Sequence, residues 1–192
     1  MRSDDLYDLP AGLPDPVDDG ACAHLIGREI PAIGLPSTGA RTVDLRQIAS
    51  PWLVVYAYPR TGLPDVSTPP GWDVIPGARG CTPQSCAYRD HYRELAAEGA
   101  EVFGLSTQDT EYQREMAIRL RLPFEVLSDA ELGLTRSLNL PTFRFGEWTL
   151  LKRHTLIIRR ARIEQVFYPV FPPDADAERV LRWLRTQREI PA

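Results

Sequence analysis

The stretch Gly80-Cys81-Thr82-Pro83-Gln84-Ser85-Cys86 places two of the chain's three cysteines where a helix is expected to begin. Pro83 is tolerated in the first turn of a helix, where the N–H groups lack intrahelical partners, and Thr82 before it is a typical N-cap. The positive end of the helix dipole stabilises an ionised sulfur at such a position. The stretch therefore predicts redox chemistry, with Cys81 as the candidate nucleophile.

The spacing of these two cysteines sets a geometric condition. If both were helical, their Cα atoms would lie about 8.7 Å apart at 1.5 Å of rise and 100° per residue. A disulfide needs a Cα separation of roughly 4.4–6.8 Å. Bonding Cys81 to Cys86 would therefore require the first turn or two to unwind, which predicts a helix that is wound when reduced and frayed when oxidised.

The composition indicates one domain preceded by a charged segment. With 192 residues, 43% of them hydrophobic, the chain is long enough for one well-packed domain, expected at 21–192. Residues 1–20 hold six Asp against a single Arg, which is typical of a flexible acidic leader. The remainder holds 20 acidic and 21 basic residues, and this near-neutral balance argues against a nucleic-acid or membrane surface.

Targeting signals and cysteine usage favour a cytoplasmic protein. The chain shows no signal-peptide pattern and no apolar run of roughly 18 residues, so neither secretion nor a membrane span is expected. Three cysteines in such a chain favour catalytic or inert thiols over a structural disulfide framework. Cys22 has no partner at a metal-ligand or redox spacing, and we expect it to be inert.

Hydrophobic periodicity predicts alternating strands and helices. The predicted strands lie within 30–35 and 41–45, then at 52–58, 101–106, 124–128, 150–158 and 162–167. The predicted helices span 83–98, a segment from the capping box of Thr110 and Gln113 to about 122, 130–138, and a last helix capped by Asp174 or Asp176. Alternation gives parallel pairing and the final hairpin gives antiparallel pairing, so an α/β fold with a central mixed sheet and helices on both faces is expected.

A long loop at 60–80 separates the predicted central strand from the cysteines. It contains four prolines and four glycines, and a loop of this length inside a domain usually has a function or is mobile. Trp72 within it would either cover the cysteines or pin the loop to the core.

Several stretches carry a resemblance to a known family. The most specific is Cys81-Thr-Pro-Gln-Ser-Cys-Ala-Tyr-Arg-Asp90, and the others are Tyr58-Pro59, Gly104-Leu-Ser, Leu127-Ser-Asp129 and Arg153-His-Thr-Leu-Ile-Ile158. Together they resemble the peroxiredoxins of the bacterioferritin-comigratory, or peroxiredoxin Q, type, from about residue 25 to 185. The resemblance implies a thioredoxin-like fold, reduction of hydrogen peroxide and alkyl hydroperoxides, and thioredoxin or a similar dithiol as the reductant.

The resemblance also implies roles for individual residues. Cys81 would be the peroxidatic cysteine, Cys86 the resolving cysteine and Arg153 the active-site arginine. Substrate-binding residues are expected at Pro59, Thr82 and Gln84. Oxidation of Cys81 to a sulfenic acid would be followed by a disulfide with Cys86. No metal or organic cofactor is implied, and the protein is expected to be a monomer or homodimer.

Two departures from the family and two alternative functions stay open. The family has a Thr three residues before the peroxidatic cysteine, where this chain has Ala78. The family also has a shorter connection to that cysteine from the proline that Pro59 matches. The candidates to replace that hydroxyl are Thr61, Thr68 and Thr82. The same cysteine pair could serve a thiol–disulfide oxidoreductase, although C-x4-C rather than C-x-x-C argues against it, or a non-enzymatic redox sensor. A metal site of Cys81, Cys86 and His91 does not match zinc spacing.

Overall fold

The computed structural model describes residues 6–64 and 66–188 of the chain. Its strands are β1 (Gly34–Pro36), β2 (Thr42–Asp44), β3 (Trp52–Ala57), β4 (Ala100–Ser106), β5 (Val126–Ser128), β6 (Thr142–Phe145), β7 (Trp148–Leu151), β8 (His154–Arg159) and β9 (Arg162–Phe167). Its α-helices are α1 (Cys81–Asp90), α2 (Tyr92–Ala97), α3 (Thr110–Arg119), α4 (Gly133–Leu138) and α5 (Asp176–Arg188). Short 3₁₀ turns lie at Leu45–Gln47 and Pro173–Ala175.

A five-stranded sheet in the order β5-β4-β3-β8-β9 forms the centre of the fold. β3 pairs in parallel with β4 and antiparallel with β8, so the sheet is mixed, as predicted. All residues of β3 after Trp52 are buried, as expected of a strand that is covered on both faces. β1 and β2 pair antiparallel around a glycine-containing turn, which confirms the two short strands expected before residue 45.

Helices pack on both faces of the sheet. Alternate residues of β3 point to opposite faces and contribute to two separate cores. On one face Tyr56 packs with residues of α1, α2, α3 and α5, among them Tyr88, Met116 and Leu181. On the other face Val55 packs with residues of α4, β1 and β2. The first of these faces carries α1, and therefore both candidate redox cysteines.

The predicted strand at 150–158 is wrong in its extent. The chain forms β7 and β8 separated by Lys152 and Arg153, and β7 pairs with β6 in a sheet of its own. The Lys152 N–H donates to the Pro141 carbonyl at 2.8 Å, which continues the β6–β7 pairing by one residue. The chain then bends at Arg153 and enters β8, which pairs with β3. The side chain of Arg153 can then point inward to α1 rather than lie along a strand edge.

The predicted helix at 83–98 is wrong at its start and in its continuity. It begins at Cys81, and His91 divides it into α1 and α2. Thr82 is not the N-cap; Gly80 takes that place in the left-handed conformation, with φ of 99°. A Cβ at Gly80 would also collide with Pro173 and Leu9, so glycine is required there both for its φ and for the close approach.

The remaining helices begin at residues other than those predicted, because carboxylates cap them from different positions. Asp109, not Thr110, caps α3 by accepting a hydrogen bond from Tyr112 N at 2.7 Å. α4 begins at Gly133 rather than at residue 130, since Asp129 accepts from the first-turn N–H groups of Leu134 and Thr135. α5 begins at Asp176, so the expectation that Asp176 could cap it is wrong: its carboxylate accepts hydrogen bonds from Gln84, Tyr88 and Thr155 instead.

Residues 6–20 lie against the body of the protein. Asp19 forms an ion pair with Lys152 at 2.5 Å and accepts a hydrogen bond from the Tyr168 hydroxyl at 2.7 Å. These bonds hold the pKa of the Asp19 carboxyl down at about 2. The flexibility expected of 1–20 stays a prediction, and residues 1–5 lie outside the described residues. No helix in the described part of the chain is long and apolar enough to cross a membrane.

Candidate active site

Arg153 contacts Cys81 directly. Its Nη2 lies 3.2 Å from Cys81 Sγ, and both side chains are buried, with 3% of each residue exposed. The same guanidinium donates to the carbonyls of Ala78 and Arg79, at 3.3 and 3.1 Å. The loop before α1 and the segment between β7 and β8 thus place a permanent positive charge beside the sulfur.

A buried polar chain holds Arg153 in place. Gln84, one turn after Cys81, accepts a short hydrogen bond from Arg153 Nη1 and donates from Nε2 to Asp176 Oδ2 at 2.8 Å. Because Asp176 accepts from the Gln84 amide, the carboxamide oxygen is left to face the arginine. Asp176 Oδ2 also accepts from the hydroxyls of Tyr88, at 2.9 Å, and Thr155, at 2.7 Å. Gln84 is therefore placed behind the guanidinium and contacts it, rather than lining the cavity at Cys81.

Burial of these hydrogen-bonded side chains perturbs the pKa of the Asp176 carboxyl group. Asp176 is fully enclosed, and burial raises the pKa of its carboxyl although three hydrogen-bond donors and Arg153 act in the opposite direction. The sequence indicated Asp176 only as a helix cap. No local pattern distinguishes a capping aspartate from one that points inward, because the partners lie 21 to 92 residues away in the chain.

A cavity of about 130 Å³ lies on the open side of Cys81. The loop at 60–80 forms most of its wall, together with the start of α1 and the side chain of Leu6. Trp72 lines this cavity and packs edge-on against Phe145, with ring centroids 5.1 Å apart. Both roles considered for Trp72 are therefore met, because the residue covers the site while it fastens the loop to β6 and β7.

The three hydroxyls considered as replacements for the family threonine all line this cavity: Thr61, Thr68 and Thr82. The Thr61 hydroxyl donates to Gln108 Oε1 at 3.2 Å, and Thr68 accepts from Arg79 at 2.5 Å. Thr82 lies next to Cys81 in α1 and is buried. Pro59 is buried just after β3 and is not among the residues lining the cavity.

Cys86 is separated from Cys81 by an intact helix. Both lie in α1, and both are free thiols. Cys86 is half-buried, and burial raises the pKa of its thiol above the ordinary value although Arg89 nearby acts in the opposite direction. The geometric condition drawn from the spacing therefore applies: the helix has to open before these two sulfurs can bond.

Cys22 and the described histidines do not join the site. Cys22 is buried in the opposite core, where burial raises the pKa of its thiol to about 12, as expected of an unreactive cysteine. His91 is half-buried, and its Nδ1 lies 3.0 Å from Glu94 Oε1. Within residues 6–64 and 66–188, no group of three or more His, Cys, Asp or Glu side chains could hold a metal ion.

Comparison with solved structures identifies the fold. Peroxidoxin BcpB from Mycobacterium tuberculosis matches with a TM-score of 0.69 and 24% identity, over 84% of this chain and 97% of that chain. The bacterioferritin comigratory protein of Xanthomonas campestris, described in connection with its alkyl peroxide reduction, matches with a TM-score of 0.65 and 22% identity, over 83% and 96%. The predicted thioredoxin-like α/β fold is confirmed.

Comparison of sequences identifies the family. The Redoxin family model matches residues 25–181. Peroxiredoxin Q of Populus jackii, named as chloroplastic, is 30% identical over 161 residues, which cover 83% of this chain and 68% of the relative. Peroxiredoxin Q of Gentiana triflora, also named as chloroplastic, is 28% identical over 187 residues, covering 94% and 78%. The chain therefore belongs to the redoxin family, and within it to the peroxiredoxin Q group of thiol peroxidases.

This membership confirms the resemblance drawn from the motif at Cys81. It favours a peroxidase over the thiol–disulfide oxidoreductase and the non-enzymatic sensor that the cysteine pair left open. The family also implies a peroxide substrate and a thioredoxin-like reductant. The roles of individual residues, the oligomeric state and the cytoplasmic location stay predictions.

Proposed function

We propose that Cys81 is the peroxidatic nucleophile and that Arg153 assists it. The observation that carries this proposal is the 3.2 Å contact between Arg153 Nη2 and Cys81 Sγ at the first residue of α1, on the wall of a cavity. The Cys81 thiolate attacks the terminal oxygen of a hydroperoxide, forming an S–O bond as the O–O bond breaks. The alkoxide or hydroxide that leaves takes up a proton, and Cys81 becomes a sulfenic acid.

Two sets of donors are available for the charge that moves in this step. The Arg153 guanidinium offers several N–H donors in a fixed planar arrangement, and the first N–H groups of α1 have no intrahelical acceptors. Donors fixed before the reaction stabilise the negative charge on sulfur and on the departing oxygen without having to rearrange. The hydrogen bonds to Gln84 and to two backbone carbonyls supply that fixation for the guanidinium.

Cys86 is proposed as the resolving cysteine. Its thiol attacks the Cys81 sulfenic acid, a disulfide forms and water leaves, which protects Cys81 from further oxidation. Burial raises the pKa of the Cys86 thiol, so the thiolate that attacks the sulfenic acid forms less readily while Cys86 stays buried. Thioredoxin or a similar dithiol then reduces the disulfide by exchange.

The test measures peroxide consumption in the presence of thioredoxin and its reductase by three variants, in each of which one cysteine is replaced. Cys81→Ser should abolish turnover, Cys86→Ser should give one turnover and a Cys81 sulfenic acid that dimedone labels, and Cys22→Ser should turn over like wild type. Wild-type activity in Cys81→Ser would refute the assignment. Faster reduction of insulin disulfides than of peroxide would instead favour a thiol–disulfide oxidoreductase.

A further inference from the structure

The wall of the cavity at Cys81 is mostly apolar. Leu63, Val66 and Trp72 of the loop at 60–80 line it. At about 130 Å³ its volume is close to that of an engineered cavity of roughly 150 Å³ that binds benzene. The cavity therefore has room for a hydroperoxide with a small branched or ring-sized apolar group. Hydrogen peroxide has no apolar group that could contact this wall.

Arg60 lies on the same wall, and it also lines a neighbouring cavity together with Trp148 and Tyr112. Its guanidinium carbon lies 4.1 Å from the ring centre of Trp148 and 5.1 Å from that of Tyr112, and its Nη2 is 3.4 Å from the Tyr112 hydroxyl. These contacts fix the side chain where the loop leaves β3. Arg60 is half-buried, so a charge placed there is only partly screened by water.

Among the described residues, Arg60 has no carboxylate partner. The carboxylate of Asp109, beyond Tyr112, is engaged in capping α3. The other arginine on the cavity wall, Arg79, differs in this respect, since it pairs with Asp73 at 3.3 Å. Arg60 is thus the cation on this wall whose charge stays available to an anionic ligand.

We propose that this cavity selects a small organic hydroperoxide that carries a carboxylate away from its O–O bond, with Arg60 binding the carboxylate. The inference rests on the proposed function, since it concerns the substrate that Cys81 attacks. The apolar group would contact Leu63, Val66 and Trp72, and the hydroperoxide would face Cys81. The chemical step is unchanged: Sγ takes the terminal oxygen, the O–O bond breaks, and the alkoxide leaves and is protonated to the alcohol.

A pair of isosteric substrates tests this selection. 4-Hydroperoxy-4-methylpentanoate and its primary amide differ in charge but hardly in size, and stopped-flow mixing gives the second-order rate constant for Cys81 oxidation by each. The carboxylate should react about fivefold faster than the amide in wild type, the preference expected of one partly exposed ion pair. The ratio should fall towards one as salt is raised, because salt screens such a pair.

Variants assign the preference to one side chain. Arg60→Gln should bring the carboxylate-to-amide ratio close to one, and Arg60→Lys should keep part of it. Arg46→Gln, which removes the same charge from an exposed position in the first 3₁₀ turn, should leave the ratio unchanged.

Equal rates for the two substrates in wild type, or an unchanged ratio in Arg60→Gln, would overturn the inference while Cys81 is still oxidised by both. If hydrogen peroxide oxidises Cys81 but neither of these hydroperoxides does, this inference fails and the proposed function stands. If none of the three oxidises Cys81, the proposed function fails and this inference falls with it. The comparison of substrates in wild type needs no variant to fold, so poor folding of an Arg60 variant would not hide the answer.

Discussion

Gln84 links Arg153 and Asp176, two residues whose side chains have opposite charges when ionised. An amide is suited to this place because it accepts on one side and donates on the other. The carboxylate determines which way the amide faces, and the amide in turn holds the guanidinium beside Cys81. Cys81 therefore depends on residues that do not contact it.

The first prediction concerns this dependence. Gln84→Met keeps the length of the side chain but removes both hydrogen bonds, so Arg153 should lose its fixed position. We expect the second-order rate constant for Cys81 oxidation by hydrogen peroxide to fall about tenfold, because small displacements of a catalytic group are costly. Stopped-flow kinetics would measure it.

The matched control is Gln113→Met, which removes an equally buried amide that bonds Ser106 and the Leu127 carbonyl, away from Cys81. This variant should lower the free energy of unfolding but leave the rate constant for Cys81 oxidation unchanged. Equal rate losses in the two variants would show that general loosening, rather than positioning of Arg153, is responsible.

His154 gives a prediction about stability and pH. It is fully buried, its Nδ1 donates to the Lys152 carbonyl at 2.8 Å, and burial lowers its pKa from 6.5 to about 4. The unfolded chain therefore binds a proton more readily than the folded protein between these values. Folding stability should fall as the pH drops from 6.5 to 4, by about 3 kcal/mol from this residue.

Denaturant unfolding of wild type and His154→Leu at several pH values isolates this contribution, because other titrating groups cancel in the difference. The stability gap between the two proteins should shift in favour of His154→Leu as the pH falls. A parallel course for His154→Leu and wild type would contradict the prediction.

At the scale of elements, the intact helix α1 prevents its two cysteines from forming a disulfide. Oxidation should open the first part of α1, so amide hydrogens of residues 85–90 should exchange faster in the Cys81–Cys86 disulfide form than in the reduced form. Hydrogen exchange with mass spectrometry measures this directly. Cys86→Ser oxidised to the sulfenic acid is the control, since it carries the same oxidation without the bond and should keep its protection. Unchanged protection in the disulfide form would exclude unwinding.

The elements also show what sequence patterns could and could not predict. β3 and the face of α5 formed by Ala177, Val180 and Leu184 were predictable, because burial and periodicity leave a direct mark on sequence. The motif around Cys81 located the start of the site. The start of α1 at a left-handed Gly80 was not predictable, because it depends on the close approach of Pro173 and Leu9. The break between β7 and β8 was not predictable either, because β7 pairs with β6 whereas β8 pairs with β3, and the local sequence does not show this change of partner.

For the candidate site, resemblance was necessary. Residues alone would place Arg153 on a strand edge, and its contact with Cys81 spans 72 positions of the chain. The sequence indicated Asp176 only as a helix cap and gave Arg60 no role, since the local sequence does not distinguish a capping aspartate from a buried one or a surface arginine from one that lines a cavity. What brings these side chains together is the sheet order, which places β8 beside β3 and the start of α1.

At the scale of the whole molecule, Trp72 connects the loop at 60–80 and the cavity at Cys81 to β6, which lies about 70 residues later in the chain. It belongs to the loop at 60–80, packs on Phe143 and Phe145 of β6, and lines the cavity at Cys81. Trp72→Ala should therefore loosen the loop and widen access to the sulfur. We expect a loss of about 3 kcal/mol in stability, typical of a buried aromatic cut to alanine. Reaction of Cys81 with a bulky maleimide should accelerate relative to its reaction with iodoacetamide.

Trp183→Ala provides the contrast. Trp183 contacts Trp52 edge-on at 5.4 Å on the α5 side of the sheet, away from the cavity, so its removal should cost stability without changing the ratio of the two alkylation rates. Mass spectrometry of peptides containing Cys81 would follow both reagents under native conditions. A ratio that rises equally in both variants would mean that access to Cys81 follows global stability. A ratio that rises only in Trp72→Ala would assign control of access to the loop, because that variant alone frees it from β6.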